Sequence, residues 1–132
     1  MSINLKTIGI WVLKMLAAVI MLQTLFYKFS ASPESVYIFS AIGMEPSGRI
    51  GTGIMELIAS VLILIPTTTG IGSVLGIGLM SGALFFHITK LGFVVQDDGG
   101  QLFIYALLVL ISCMALVVIY RRDIFQLFML SF

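Results

Sequence analysis

Residues 49–66 read RIGTGIMELIASVLILIP, an apolar run opened by Arg49, closed by Pro66 and carrying a single acid, Glu56, in its interior. As a helix it is long enough for the roughly 30 Å hydrocarbon layer of a bilayer. The proline ring and its missing N–H end such a helix. Three comparable runs share the chain, so the expected spans are about residues 8–29, 49–65, 70–91 and 101–120. Strands would need dyad alternation and closure into a barrel, and the four runs do not alternate. The expected fold is therefore all-α, an integral membrane four-helix bundle formed by residues 1–132 as a single domain, with a short interfacial helix in the first loop.

Composition supports that solvent. Of 132 residues 60% are hydrophobic, and only seven basic and six acidic side chains are present. A soluble domain carries roughly a quarter charged residues, and the mean hydropathy here is +1.17. The lipid bilayer is the first expected partner. A net charge of +1 produces no field for a polyanion, which excludes nucleic acid as a partner. Cys113 is the one cysteine, so an internal disulfide is impossible, and no Cys/His pair has zinc-ligand spacing. The run from Ile8 to Phe29 is too long for a signal-peptide core, and Lys28 precedes the small residues Ser30-Ala31-Ser32. It reads as a retained span.

Four crossings return both termini to one side, here side A, opposite side B. Lys6, Arg121 and Arg122 on side A balance Lys28, Arg49 and Lys90 on side B, where Glu34, Glu45, Glu56, Asp97 and Asp98 also lie. With the side B cations offset by those acids, the positive-inside rule places both termini in the cytoplasm. Pro66-Thr67-Thr68-Thr69 is a tight side A turn. In the loop 30–48, Ser32 before Pro33-Glu34 is a helix cap, Gly43 a stop, and Val36, Phe39 and Ile42 recur at helical spacing. Asp98 and Gln101 have capping-box spacing at the start of the last span. The apolar tail Ile124–Phe132 lies along the membrane or packs on a partner; both arrangements remain open.

Buried polar residues concentrate in the side B half. Arg49, Gly53, Glu56 and Ser60 form one stripe on the second span, and Gly76, Met80, Ala83, His87 and Lys90 form another on the third. Gln23 with Tyr27, and Gln101 with Tyr105 and Ser112, add lines on the first and fourth. Small and polar residues together mark faces turned toward other helices. An acid among hydrocarbon costs roughly 2.5–3.5 kcal/mol on insertion scales, so Glu56 needs a partner, with Lys28 and His87 the cross-helix choices. The candidate ligand-binding residues are Gln23, Lys28, Arg49, Glu56, His87 and Tyr105. Each has a structural alternative: a packed register-fixing network for Glu56, snorkelling anchors for Lys28 and Lys90, aromatic belts for Trp11, Tyr27 and Tyr105. Lys14, in the side A half, reads as a snorkelling anchor. Gly72/Gly76 and Gly78/Gly82 have small-xxx-small spacing for close helix contact.

Gln23-Thr24-Leu25-Phe26-Tyr27-Lys28-Phe29 through Pro33-Glu34-Ser35-Val36-Tyr37 resembles the DoxX family of small bacterial membrane proteins. So do Gly48-Arg49-Ile50-Gly51-Thr52-Gly53 with Glu56-Leu57, His87-Ile88-Thr89-Lys90-Leu91-Gly92, and Asp97-Asp98-Gly99-Gly100. The resemblance implies a four-helix protein of the bacterial inner membrane. The family takes its name from a subunit associated with thiosulfate:quinone oxidoreductase, which implies a redox-associated role. It supplies no catalytic residues to transfer, so the candidates above stand on physical grounds.

Two readings follow. In the first the chain is a redox-associated subunit, not an independent enzyme, binding a quinone or similar small amphipathic ligand in the side B half. Gln23, Lys28, Arg49 or His87 would donate to it, and Glu56 with His87 would pass protons. No motif holds a flavin, haem or iron–sulfur cluster and no cofactor is expected to be covalently bound, so electrons would come from a protein partner. In the second the chain is a non-catalytic assembly factor or structural subunit of a membrane complex, acting through a protein partner or as a homo-oligomer. A solute transporter is a weaker third reading, since no inverted repeat is visible.

Overall fold

The computed structural model describes residues 4–92 and 99–131, with side chains through residue 126. Helix α1 (Leu5–Phe29) is followed by the short α2 (Pro33–Ala41), then α3 (Ser47–Leu64) and α4 (Thr69–Phe86). A single π-turn, His87–Leu91, prolongs α4; α5 (Gln101–Ile119) and α6 (Arg121–Ser131) complete the described chain. Four segments are long and apolar enough to cross a membrane: Leu5–Phe29, Ser47–Leu64, Pro66–Leu91 and Gln101–Ile119. The expected spans thus stand, the first, second and third beginning three, two and four residues earlier than expected.

The four long helices pack as a ring, α1 on α3, α3 on α4, α4 on α5 and α5 on α1. This is the up-down-up-down bundle that short connections favour. Its centre is Ala17, Met21, Ala59, Ile63, Val109, Cys113 and Leu116. The outer faces are equally apolar, with Val12, Phe26, Ile54, Val61, Val74, Phe85, Ile111 and Val118 exposed. Lipid explains this distribution, because acyl chains are as good a solvent for leucine as the protein interior.

Each joint has a local cause. Ser32 Oγ accepts from the Ser35 N–H at the start of α2. At its other end the Gly43 N–H bonds Ser40 O and the Met44 N–H bonds Phe39 O, with Gly43 at φ +75°. That pair of bonds is the Schellman stop that glycine permits. Helix α2 lies over the side B end, touching α1, α3 and the π-turn. At side A the α3–α4 turn satisfies carbonyls orphaned by Pro66: Thr68 Oγ1 donates to Leu62 O at 2.8 Å and Thr69 Oγ1 to Ile63 O at 2.9 Å. The first part of the tail follows neither expected course: α6 rests on α4 and α5 of its own chain. The proposed Asp98 cap lies outside the described residues.

Two expectations require correction. Lys14 does not snorkel. It is 2% exposed, with Nζ 4.5 Å from the Trp11 ring centre and 5.2 Å from that of Tyr120. The ring faces offer a cation the electrostatic partner that hydrocarbon lacks. Gly78 and Gly82 do not mediate helix contact either, because a Cβ at either position would meet nothing within 4 Å. Gly72 and Gly76 do: a Cβ on Gly72 would stand 2.7 Å from the backbone nitrogen of Ile63 and one on Gly76 2.6 Å from Cys113 Sγ.

These glycines make a matched test. Gly72→Ala forces α3 and α4 apart and is expected to lower stability by about 1–3 kcal/mol, whereas Gly78→Ala is expected to leave it unchanged or slightly raised. Thermal unfolding of both variants in detergent measures the difference.

Candidate functional site

Glycines 78 and 82, which have no close neighbour, border a cavity. It occupies about 460 Å³ in the side B half, with walls from α1, α2, α3, α4, the π-turn and α5. Met21, Phe39, Phe86 and Val109 form apolar wall; Thr24, Lys28, Glu56, His87 and Tyr105 form polar wall. The volume lies within the range of small-molecule sites, roughly 300–1,000 Å³.

The polar wall is organised around Glu56, which is 2% exposed. Lys28 Nζ stands 2.9 Å from Glu56 Oε1. Thr24 Oγ1 donates to Oε2 at 3.0 Å, while lying equally close to the Met21 carbonyl. Both carboxylate oxygens are thereby engaged, as a charge withdrawn from water requires. Lys28 reaches this position from the last turn of α1 and is therefore no mere anchor. Lys90, by contrast, is exposed on the π-turn, which inserts extra backbone into the helical period and turns Lys90 off the stripe carrying His87.

Arg49 has another function. Its Nε bonds both oxygens of Glu45, at 2.9 and 3.0 Å, and Nη1 donates to the backbone carbonyl of Lys28. It closes the end of α1 and does not line the cavity. Of the other sequence candidates, Lys28, Glu56, His87 and Tyr105 are brought to the chamber, and Gln23 lines it while remaining exposed. Gln101 donates from Nε2 to Tyr105 Oη at 2.8 Å.

Histidine 87 opens the π-turn and is buried, with Nδ1 2.9 Å from Gly92 O. A carbonyl oxygen only accepts, so Nδ1 carries a proton and the neutral ring offers its lone pair at Nε2. The ring meets Phe103 edge-on, 5.7 Å between centres.

Thr24 is the site residue that reading the sequence did not single out. The signal was present: Lys14, Met21 and Lys28 are seven apart, and Thr24 falls between the last two on the same face. The Gln23–Tyr27 line lies one residue, about 100°, away on the helix. Among the described residues no three His, Cys, Asp or Glu side chains gather where they could hold a metal ion. No protein-family model, curated protein or solved structure matches the chain.

The Glu56–Lys28 pair should behave as a unit. Glu56→Gln strands Lys28 and Lys28→Met strands Glu56, each expected to cost up to about 3 kcal/mol, with Lys28 milder-placed because its side chain keeps 16% of its exposure. The double variant is expected to be more stable than the sum of the two losses implies. A double-mutant cycle followed by thermal unfolding measures that coupling.

Proposed function

We propose that this chain is a subunit of a membrane complex, similar to the DoxX proteins, that binds a quinone or similar small amphipathic ligand in the side B cavity. One observation carries the reading: a chamber of ligand size is lined by hydrogen-bonding groups of three helices together with apolar side chains. The residues present suit a ring bearing polar oxygens. Lys28 retains N–H donors beyond the one directed at Glu56, and Tyr105, whose oxygen accepts from Gln101, keeps its own proton to donate. The apolar wall takes a hydrophobic ring or tail. In this reading the protein binds and orients, a partner protein handles electrons, and the chain is not an independent enzyme. Placement in a bacterial inner membrane with cytoplasmic termini belongs to the same proposal.

A second reading, an assembly factor or structural subunit, draws on the fact that both Glu56 oxygens are satisfied from within the chain. Such a network orders a bundle without any ligand.

Filling the cavity separates the two. A larger side chain at Gly82 has open space before it, so Gly82→Phe is expected to keep the fold while weakening a short-chain benzoquinone at least about tenfold, the result of occupying the pocket. Calorimetric titration of the purified protein reads this. Binding that is absent from the unmodified chain, or unchanged in Gly82→Phe, removes the ligand reading and leaves the structural one.

A further inference from the structure

The π-turn after α4 fixes more than the position of His87; it fixes which nitrogen carries the proton. Gly92 is clasped twice by the same residue. Its N–H donates to His87 O at 2.7 Å, and its carbonyl accepts from His87 Nδ1 at 2.9 Å. The clasp requires Gly92 at φ +78°, in the left-handed region that glycine tolerates. With Nδ1–H committed to that carbonyl, the neutral ring can present only an acceptor elsewhere, at Nε2. Among the described residues nothing donates to Nε2. The ring lines the cavity and Nε2 is not a closed-off atom lacking a partner, so its lone pair is open to what fills the cavity.

The same wall holds donors in Lys28 Nζ and in Tyr105 Oη, whose oxygen already accepts from Gln101, beside further polar side chains that include Glu34, Ser35 and Thr52. The chamber therefore offers donors from α1 and α5 and, at His87 Nε2, an acceptor whose tautomer is set by the π-turn. A ligand bearing only carbonyl oxygens answers the donors but sets lone pair against lone pair at Nε2. A ligand with a hydroxyl answers both, donating to the imidazole and accepting from the lysine or tyrosine.

We infer that the cavity selects a hydroxyl-bearing ring, of the hydroquinone or phenol class, over its carbonyl counterpart, with His87 Nε2 accepting the hydroxyl proton as a hydrogen bond. The inference rests on the ligand reading above and adds to it a direction of preference and the residue that sets it. Only a hydrogen bond is made; no bond in the ligand breaks.

The test uses a short-chain benzoquinone and its hydroquinone, titrated without oxygen at pH 8, above the ordinary histidine range. The unmodified chain is expected to bind the hydroquinone about tenfold tighter, the size of effect one additional hydrogen bond produces. His87→Asn lets an amide N–H replace Nδ1–H on Gly92 O while removing the acceptor at the Nε2 position, and is expected to erase the preference. His87→Gln returns an amide oxygen to the Nε2 position and is expected to restore part of it. Equal affinities for the two probes in the unmodified chain, with Gly82→Phe still blocking both, overturn the hydroxyl preference and leave the ligand reading standing. No binding of either probe overturns both. A preference that persists undiminished in His87→Asn shows that His87 does not set it and overturns the assignment; the comparison of probes in the unmodified chain stands even if that variant fails to fold.

Discussion

An ionised carboxylate among hydrocarbon requires a cation within hydrogen-bonding distance, and the Lys28–Glu56 pair meets that constraint at 2.9 Å. Much of the side B half follows from it. Helix α3 grips the last turn of α1 at two levels, because Glu56 holds the Lys28 ammonium and Arg49, two turns earlier on α3, holds the Lys28 carbonyl. A helix C-terminus leaves carbonyls without partners, and an arginine from a neighbouring helix is well suited to one of them. Glu45 in turn neutralises Arg49. The arrangement pins the end of α1 and prepares the path of the chain into α2, which covers the chamber.

The two halves of the bundle solve different problems. Toward side A the helices approach closely: Gly72 and Gly76 face the backbone of α3 and Cys113 of α5. Lys14 is enclosed by Trp11 and Tyr120. Toward side B the same small-residue spacing at Gly78 and Gly82 opens onto space. A bundle that is tight at one end and hollow at the other has room for a ligand without disturbing its core. Charged and polar groups around that hollow are held in place by bonds within the protein.

How legible each feature was depended on the range of the force behind it. The four spans were legible because hydrocarbon thickness sets a minimum apolar length. The stripe of Arg49, Gly53, Glu56 and Ser60 was legible because helical period alone places those residues on one face, and all four are buried. The caps of α2 were legible because they act over three or four residues. Lys14 was misread because a long side chain near a span end can reach either the head groups or a neighbouring ring. The choice depends on Tyr120, more than a hundred residues away. Thr24 was missed in favour of Gln23 because the two differ by one step of rotation, and an isolated helix has no marker for which step faces inward.

The amino-acid order by itself determined that this chain forms apolar helices of membrane-crossing length, which stretches they occupy to within a few residues, and that an acid must be buried among them. Period, capping chemistry and the cost of charge in hydrocarbon are local properties, and sequence carries them. Which cation Glu56 takes, which glycines touch a neighbour and which face a void, and which nitrogen of His87 is left to accept were decided only by the tertiary structure. Those outcomes depend on the rotation and depth of one helix against another, and that relation is set when four faces pack at once.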